Sequence, residues 1–165
     1  MAESTEPHAI LELDGEADTV RLAERLASMT GPGDMIALTG DLGTGKTVLA
    51  RALIRARTRP DEEVPSPTFT LVQVYETDAE PVYHFDLYRI EDTEEIYELG
   101  FEEALSDGVV LVEWPDRLGT LLPSDRLDVE LQQGAGPDRR IARLTGRGYW
   151  IARMTDAFSE GAIHG

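Results

Sequence analysis

Apolar positions change their period several times along this chain, and each change marks an element. "HAILEL" (residues 8–13) alternates as a short strand does, and "EADTVRLAERLASM" (16–29) then places Val20, Ala23, Leu26 and Ala27 at helical spacing. Glu16 and Asp18 lie in an acid-favouring first turn, and Gly31 with Pro32 stops the helix. "DMIALTG" (34–40) is a continuous apolar run, the mark of a strand buried on both faces. Residues 46–57, rich in Ala, Leu and Arg, form the next helix and end before Pro60.

"RPDEEVPSPT" (59–68) carries three prolines and three acids and reads as an exposed loop. "FTLVQVYE" and "VYHFDLY" are β-rich runs separated by "TDAEP", which predicts a hairpin. "DTEEIYELGFEEAL" (92–105) is helical in composition but interrupted at Gly100, and "VVLVEW" (109–114) is again a buried-strand run. "RLDVELQQ" and "RRIARLTG" flank "GAGPD" as a second hairpin, with a short helix expected from Tyr149 to Phe158. With no internal repeat and no long linker, residues 1–165 form one α/β domain, its core at about 10–147 and its termini frayed. The expected architecture is a central mixed β-sheet flanked by helices, with β-hairpins.

The strand-to-helix junction carries the chemistry. "GDLGTGKT", Gly40 to Thr47, matches G-x-x-x-x-G-K-[ST] in full, with the strand "MIALT" leading in and a helix leading out. Glycines there let backbone N–H groups turn inward around a phosphate, and the helix N-terminus adds a favourable dipole. Lys46 bridges the terminal phosphates as a point charge, and Thr47 offers a hydroxyl to Mg2+. Such a site also needs a carboxylate at the end of a neighbouring buried strand. In this P-loop NTPase-like architecture Glu113, after four apolar residues, either fills that role or ends its strand as a solvated acid, and Trp114 beside it either shields the site, anchors a partner or packs in the core.

Alternation in "VYHFDLYR" sets Val82, His84, Asp86 and Tyr88 on one face of a strand and Tyr83, Phe85 and Leu87 on the other. Asp86 then either orients an attacking water, completes the metal's outer shell, or lies on an exposed sheet face. His84 reads as a hydrogen-bonded structural residue rather than a ligand. Ser66 and Thr68 in "SPTFT" are placed like a switch that closes on the terminal phosphate, or form an ordinary proline-rich turn.

Arg51, Arg55, Arg57 and Arg59 read as one face and the end of a helix rather than as a phosphoryl-transferase lid, and no acceptor pocket is evident. A guanine-reading N-K-x-D is absent, which favours ATP over GTP. Hydrolysis and a nucleotide-gated binding switch remain.

Charge narrows the partners. A net −17 repels polyanions, so direct tight binding to DNA or RNA is not expected. The absence of cysteine excludes disulfides and thiolate metal sites, which makes the cytoplasm the default compartment. No apolar run approaches the ~20 residues of a membrane span, and "MAESTEPHAI" lacks the core of a secretory signal.

"GDLGTGKT", "SPTFTLVQVY", "YHFDLYR", "ELGFEEAL" and "LVEWPDR", in that order, resemble the TsaE (YjeE) family of bacterial ATPases over roughly residues 10–147. The resemblance implies an accessory ATPase of the tRNA threonylcarbamoyladenosine (t6A) pathway, which modifies A37 of tRNAs reading codons that begin with A. Its partner would be the transferase heterodimer TsaD with TsaB, whose turnover ATP binding and hydrolysis support; tRNA would be met only through these partners. Carried over by motif, Leu42, Gly43, Thr44, Gly45, Lys46 and Thr47 hold the phosphates, and Thr47 with Glu113 holds Mg2+. By the same resemblance Asp86 takes the catalytic acidic position with Lys46 and Thr68 as further catalytic residues, Trp114 neighbours the metal Glu, Ser66 to Thr68 form the switch-like loop, and Glu16 and Thr19 lie near the base. Val48 departs from the pattern: many members carry a second Thr there, so a hydroxyl contact to the α-phosphate is lost while the backbone N–H remains.

Overall fold

The computed structural model describes residues 7–41, 44–65, 67 and 70–158. Along the chain run β1 (Ala9–Leu13), α1 (Glu16–Ser28), β2 (Met35–Thr39), α2 (Lys46–Arg57), β3 (Val72–Tyr75) and β4 (Val82–Asp86). There follow α3 (Thr93–Glu98), α4 (Phe101–Asp107), β5 (Val109–Glu113), a 3-10 segment (Pro115–Leu121), β6 (Arg126–Gln133), β7 (Arg140–Arg147) and α5 (Trp150–Ala157).

One seven-stranded sheet holds them in the order β1-β7-β6-β2-β5-β4-β3. The runs "MIALT" and "VVLVE" lack an exposed side because they occupy the centre, where β6, β2, β5 and β4 all run parallel. Antiparallel hairpin partners finish both margins, β3 on β4 and β7 on β6, with β1 added outside β7. Alternate strand residues feed two cores. Ile36, Leu38, Val109 and Leu111 pack with Leu22, Leu26, Leu49 and Leu53 of α1 and α2. Met35, Ala37, Val110 and Val112 pack with Ile96, Phe101, Ala104 and Leu118 on the opposite face. Helices thus cover both sides of the sheet.

Two details differ from the pattern reading. Val20 is 37% exposed, because the buried stripe of α1 is Thr19, Leu22, Ala23, Leu26 and Ala27, one residue out of phase with it. The packed structure also continues beyond residue 147: Trp150 and Met154 of α5 are fully buried in the core under α1 and α2.

The loop after α2 is fastened by the arginines of that helix. Arg51 Nε donates to Val64 O at 3.3 Å and Arg55 Nε to Glu62 O at 3.0 Å. Arg57 donates to Ala27 O and Thr30 Oγ1 and forms a largely buried ion pair with Glu80. Val64 and Pro67 are buried, whereas Asp61, Glu63, Pro65 and Thr70 are exposed.

Tyrosine hydroxyls bind the periphery. Tyr83 donates to Asp107 at 2.7 Å, joining β4 to α4, and this bond holds its pKa up to about 12. Tyr149 is raised by burial and by its 2.6 Å bond to Asp34, and Tyr75 by burial. Groups that keep a proton longer when folded stabilise the fold below the ordinary tyrosine pKa, and that stabilisation is lost as pH rises through the folded values. Ultraviolet titration at about pH 11 should therefore show fewer phenolates in the native protein than in the urea-unfolded chain. Equal ionisation of all five tyrosines in both states would contradict these contacts.

Candidate nucleotide site

Strands β2, β4 and β5 run parallel and end on one edge, the side on which ligands sit in open α/β sheets. Leu38 lies opposite Glu113 in register, and Asp86 lies opposite Glu113. The face of β4 and β5 that carries Val82, Val109 and Leu111 packs under α2, and alternation continues it to His84, Asp86 and Glu113. The strand ends therefore deliver two carboxylates and an imidazole to the N-terminus of α2.

The turn into α2 requires glycine. Gly40 has φ +141°, and a Cβ there would come within 2.5 Å of Leu131 O and 2.7 Å of Thr44 Oγ1. Gly45 caps α2 in the left-handed region at φ +97°. Thr44 Oγ1 donates to Asp41 O at 2.7 Å, and Arg140 Nε reaches across from β7 to Thr44 O at 3.2 Å. No acidic residue of α2 itself sits in its first turn, so the carboxylates that face its dipole come from the strand ends.

Lys46 is 5% exposed. Its Nζ donates to Gly40 O at 2.6 Å and lies 3.7 Å from the centre of the Trp114 ring. Burial pushes the ammonium below its ordinary pKa, against the pull of Glu113, Asp86, Asp41 and Asp116. Trp114 takes up this position with a left-handed backbone, φ 62° and ψ 54°, strained for a side chain of its size, and its ring also stands 4.8 Å from that of Tyr88.

Both strand-end acids are buried, which excludes an exposed sheet face for Asp86 and a solvated strand end for Glu113. Asp86 Oδ1 accepts from the Tyr88 N–H at 3.1 Å. Glu113 Oε1 lies 3.4 Å from Thr47 Oγ1, and Oε2 lies 2.7 Å from His84 Nε2. The hydrogen bond expected of His84 thus goes to the site carboxylate itself, a partnership that only the parallel register of β4 and β5 reveals.

Glu16 and Thr19 meet Thr44, Gly45 and Val48 around a cleft of roughly 390 Å³ beside the loop. Asp138 and Arg140, from the β6–β7 hairpin, close its far wall. Neither carries a local motif, and sequence reading missed both. Leu42, Gly43, Ser66 and Thr68 lie outside the described residues. Among the described residues no group of three His, Asp or Glu side chains stands ready to hold a metal alone. The oxygen pair of Thr47 and Glu113 instead suits an ion such as Mg2+, which binds few protein ligands and keeps waters and phosphate oxygens.

Residues 13–141 match the family model described as threonylcarbamoyl adenosine biosynthesis protein TsaE. The chain is 43% identical to the tRNA threonylcarbamoyladenosine biosynthesis protein TsaE of Rickettsia felis, over 74% of its own length and 72% of that protein. It is 38% identical to the protein of that name from Bacillus subtilis, over 87% and 89% of the two chains. Its fold is similar to the crystal structure of Bacillus subtilis YdiB, with a TM-score of 0.72 and 26% identity over 91% of this chain and 93% of that one.

Proposed function

This chain belongs to the TsaE family of tRNA threonylcarbamoyladenosine biosynthesis, and from that premise we propose that it is the pathway's accessory ATPase. In this reading it binds and hydrolyses Mg-ATP to support turnover of a TsaD–TsaB-type transferase that modifies A37. The observation that carries the reading is the convergence of Lys46, Thr47, Asp86 and Glu113 at one strand edge.

Lys46, inside the glycine turn, supplies the cation for the phosphates, and the N–H groups at the start of α2 add the dipole. Thr47 Oγ1 and Glu113 Oε1 are the oxygens that would hold Mg2+, which when bound neutralises developing charge on the phosphate oxygens. Asp86 is anchored through Oδ1 by the Tyr88 N–H, and its carboxylate accepts the hydrogen bond of the attacking water. Transfer to a second substrate is the poorer reading: the Nε groups of Arg51 and Arg55 and the Nη1 of Arg57 are engaged with backbone carbonyls of the loop after α2 and of the end of α1. The net charge of −17 leaves contact with tRNA to the partners.

The protein should make t6A formation by the reconstituted transferase pair multi-turnover in an ATP-dependent manner, with free phosphate released. Multi-turnover t6A synthesis that is indifferent to ATP, or γ-phosphate recovered on a metabolite, would sink this reading.

A further inference from the structure

We propose that His84 is a positioning residue of the nucleotide site: its Nε2–H holds Oε2 of Glu113, and so presents Oε1 beside the Thr47 hydroxyl to the cation that accompanies the nucleotide. The inference deepens the Mg-nucleotide reading and rests on it.

The contact is 2.7 Å long, with the two side chains 1% and 4% exposed. An ionised carboxylate only accepts, so the imidazole nitrogen is the donor. Nδ1 is also buried and has no hydrogen-bond partner. A neutral ring with its proton on Nε2 leaves only a lone pair unmatched, whereas a proton on Nδ1 would leave a buried N–H without an acceptor, the rarer and costlier defect.

Packing does not explain a histidine here. Along the same face, Val82 of β4 and Val109 and Leu111 of β5 are all apolar and fully buried, and His84 pairs in register with Leu111. A leucine would fill this position without orphaning a nitrogen. The residue makes sense through its one bond, and that bond leads to the acid two strand positions beyond Leu111.

Glu113 needs the restraint. Its carboxylate is the first among the charges that hold Lys46 in its ammonium form. The terminal torsion of a glutamate is broad, so an untethered carboxylate would turn toward that ammonium. Such a pair would occupy at once the cation meant for the phosphates and the oxygen meant for the metal. His84 keeps the two apart by fixing one carboxylate oxygen on the side away from Thr47.

Two substitutions separate this role from simple filling of space. In His84→Gln the amide nitrogen reaches close to the place of Nε2; in His84→Asn it reaches only that of Nδ1. The readout is the Mg2+ concentration giving half-maximal binding of a fluorescent ATP analogue, with the same titration in EDTA as the metal-free control. His84→Asn should raise the Mg2+ requirement about tenfold or more, and His84→Gln should stay within about threefold of the wild type. Metal-free nucleotide affinity should hold in His84→Gln and fall in His84→Asn, where the released carboxylate pairs with Lys46, but by less than the Mg2+ requirement rises. In the wild type without nucleotide, nitrogen-15 NMR of the imidazole should show a solvent-protected proton on Nε2 and none on Nδ1. Gln and Asn variants that behave alike, an unchanged Mg2+ requirement in His84→Asn, or a proton on Nδ1 would overturn the positioning role alone. Wild-type binding that ignores Mg2+ would instead overturn the Mg-nucleotide reading and this inference with it.

Discussion

Asp86→Asn should lower the turnover of ATP hydrolysis by about 10²- to 10⁴-fold, with the affinity for Mg-ATP held within about threefold. The substitution is nearly isosteric. The amide oxygen can still accept from the Tyr88 N–H, so the tight turn after β4 keeps its anchor. What disappears is the capacity to take a proton from water. If Asp86 belonged to the metal's outer shell instead, affinity and turnover would fall together, so equilibrium binding measured beside steady-state turnover tells the roles apart. Undiminished turnover would remove Asp86 from the chemistry. A second effect has a definite sign: Asp86 favours the charged form of Lys46, so without it Lys46 loses its proton at lower pH. The alkaline limb of nucleotide binding should move to lower pH in the variant.

The fold was legible where structure is local. Two continuous apolar runs announced the buried strands of the sheet centre, and the hairpins followed from β-rich runs around short polar turns. What could not be read was the order of strands across the sheet: β6 lies beside β2 although some ninety residues separate Thr39 from Val129, the pair linked across that seam. Local period failed at Val20, because one residue of phase decides which side of a helix is buried and its neighbours offered two stripes. Trp150 shows the same limit, since one aromatic in a short terminal helix does not say whether it docks.

Lys46, Thr47, Asp86 and Glu113, the residues of the proposed site, could be singled out in the sequence because each is marked by a strand or loop pattern. Their convergence follows from the parallel register, in which β4 and β5 end side by side. His84 looked structural since its partner is 29 residues away, and Arg140 was invisible since it meets Thr44 across 96 residues. The arginines of α2, read in the sequence as one helix face and its end, tie down the following loop in the structure.

Lys46→Met should cost at least about 10²-fold in ATP affinity, the loss of roughly two charge-assisted hydrogen bonds, and hydrolysis with it. The reason reaches beyond direct contact. Asp41, Asp86, Glu113 and Asp116 all act on this lysine, so a polyphosphate entering without it would meet their negative field uncompensated. The nucleotide-free fold should tolerate the change. Desolvation is the largest influence on Lys46 and outweighs the four acids, so the pocket on balance disfavours the charge. Methionine is close in length and keeps a favourable sulfur contact with the Trp114 ring. Because the folded pKa of Lys46 lies below its ordinary 10.5, the unfolded chain holds more protons in that interval, and wild-type stability gains with rising pH there. The variant sheds the buried charge but also leaves the Gly40 carbonyl without its donor, so at neutral pH its melting temperature should stay near that of the wild type. Thermal-shift assays with and without Mg-ATP test both halves. A ligand-induced shift as large as the wild type's would remove Lys46 from phosphate binding, and a collapsed melting temperature would show that the four acids, rather than desolvation, govern the pocket.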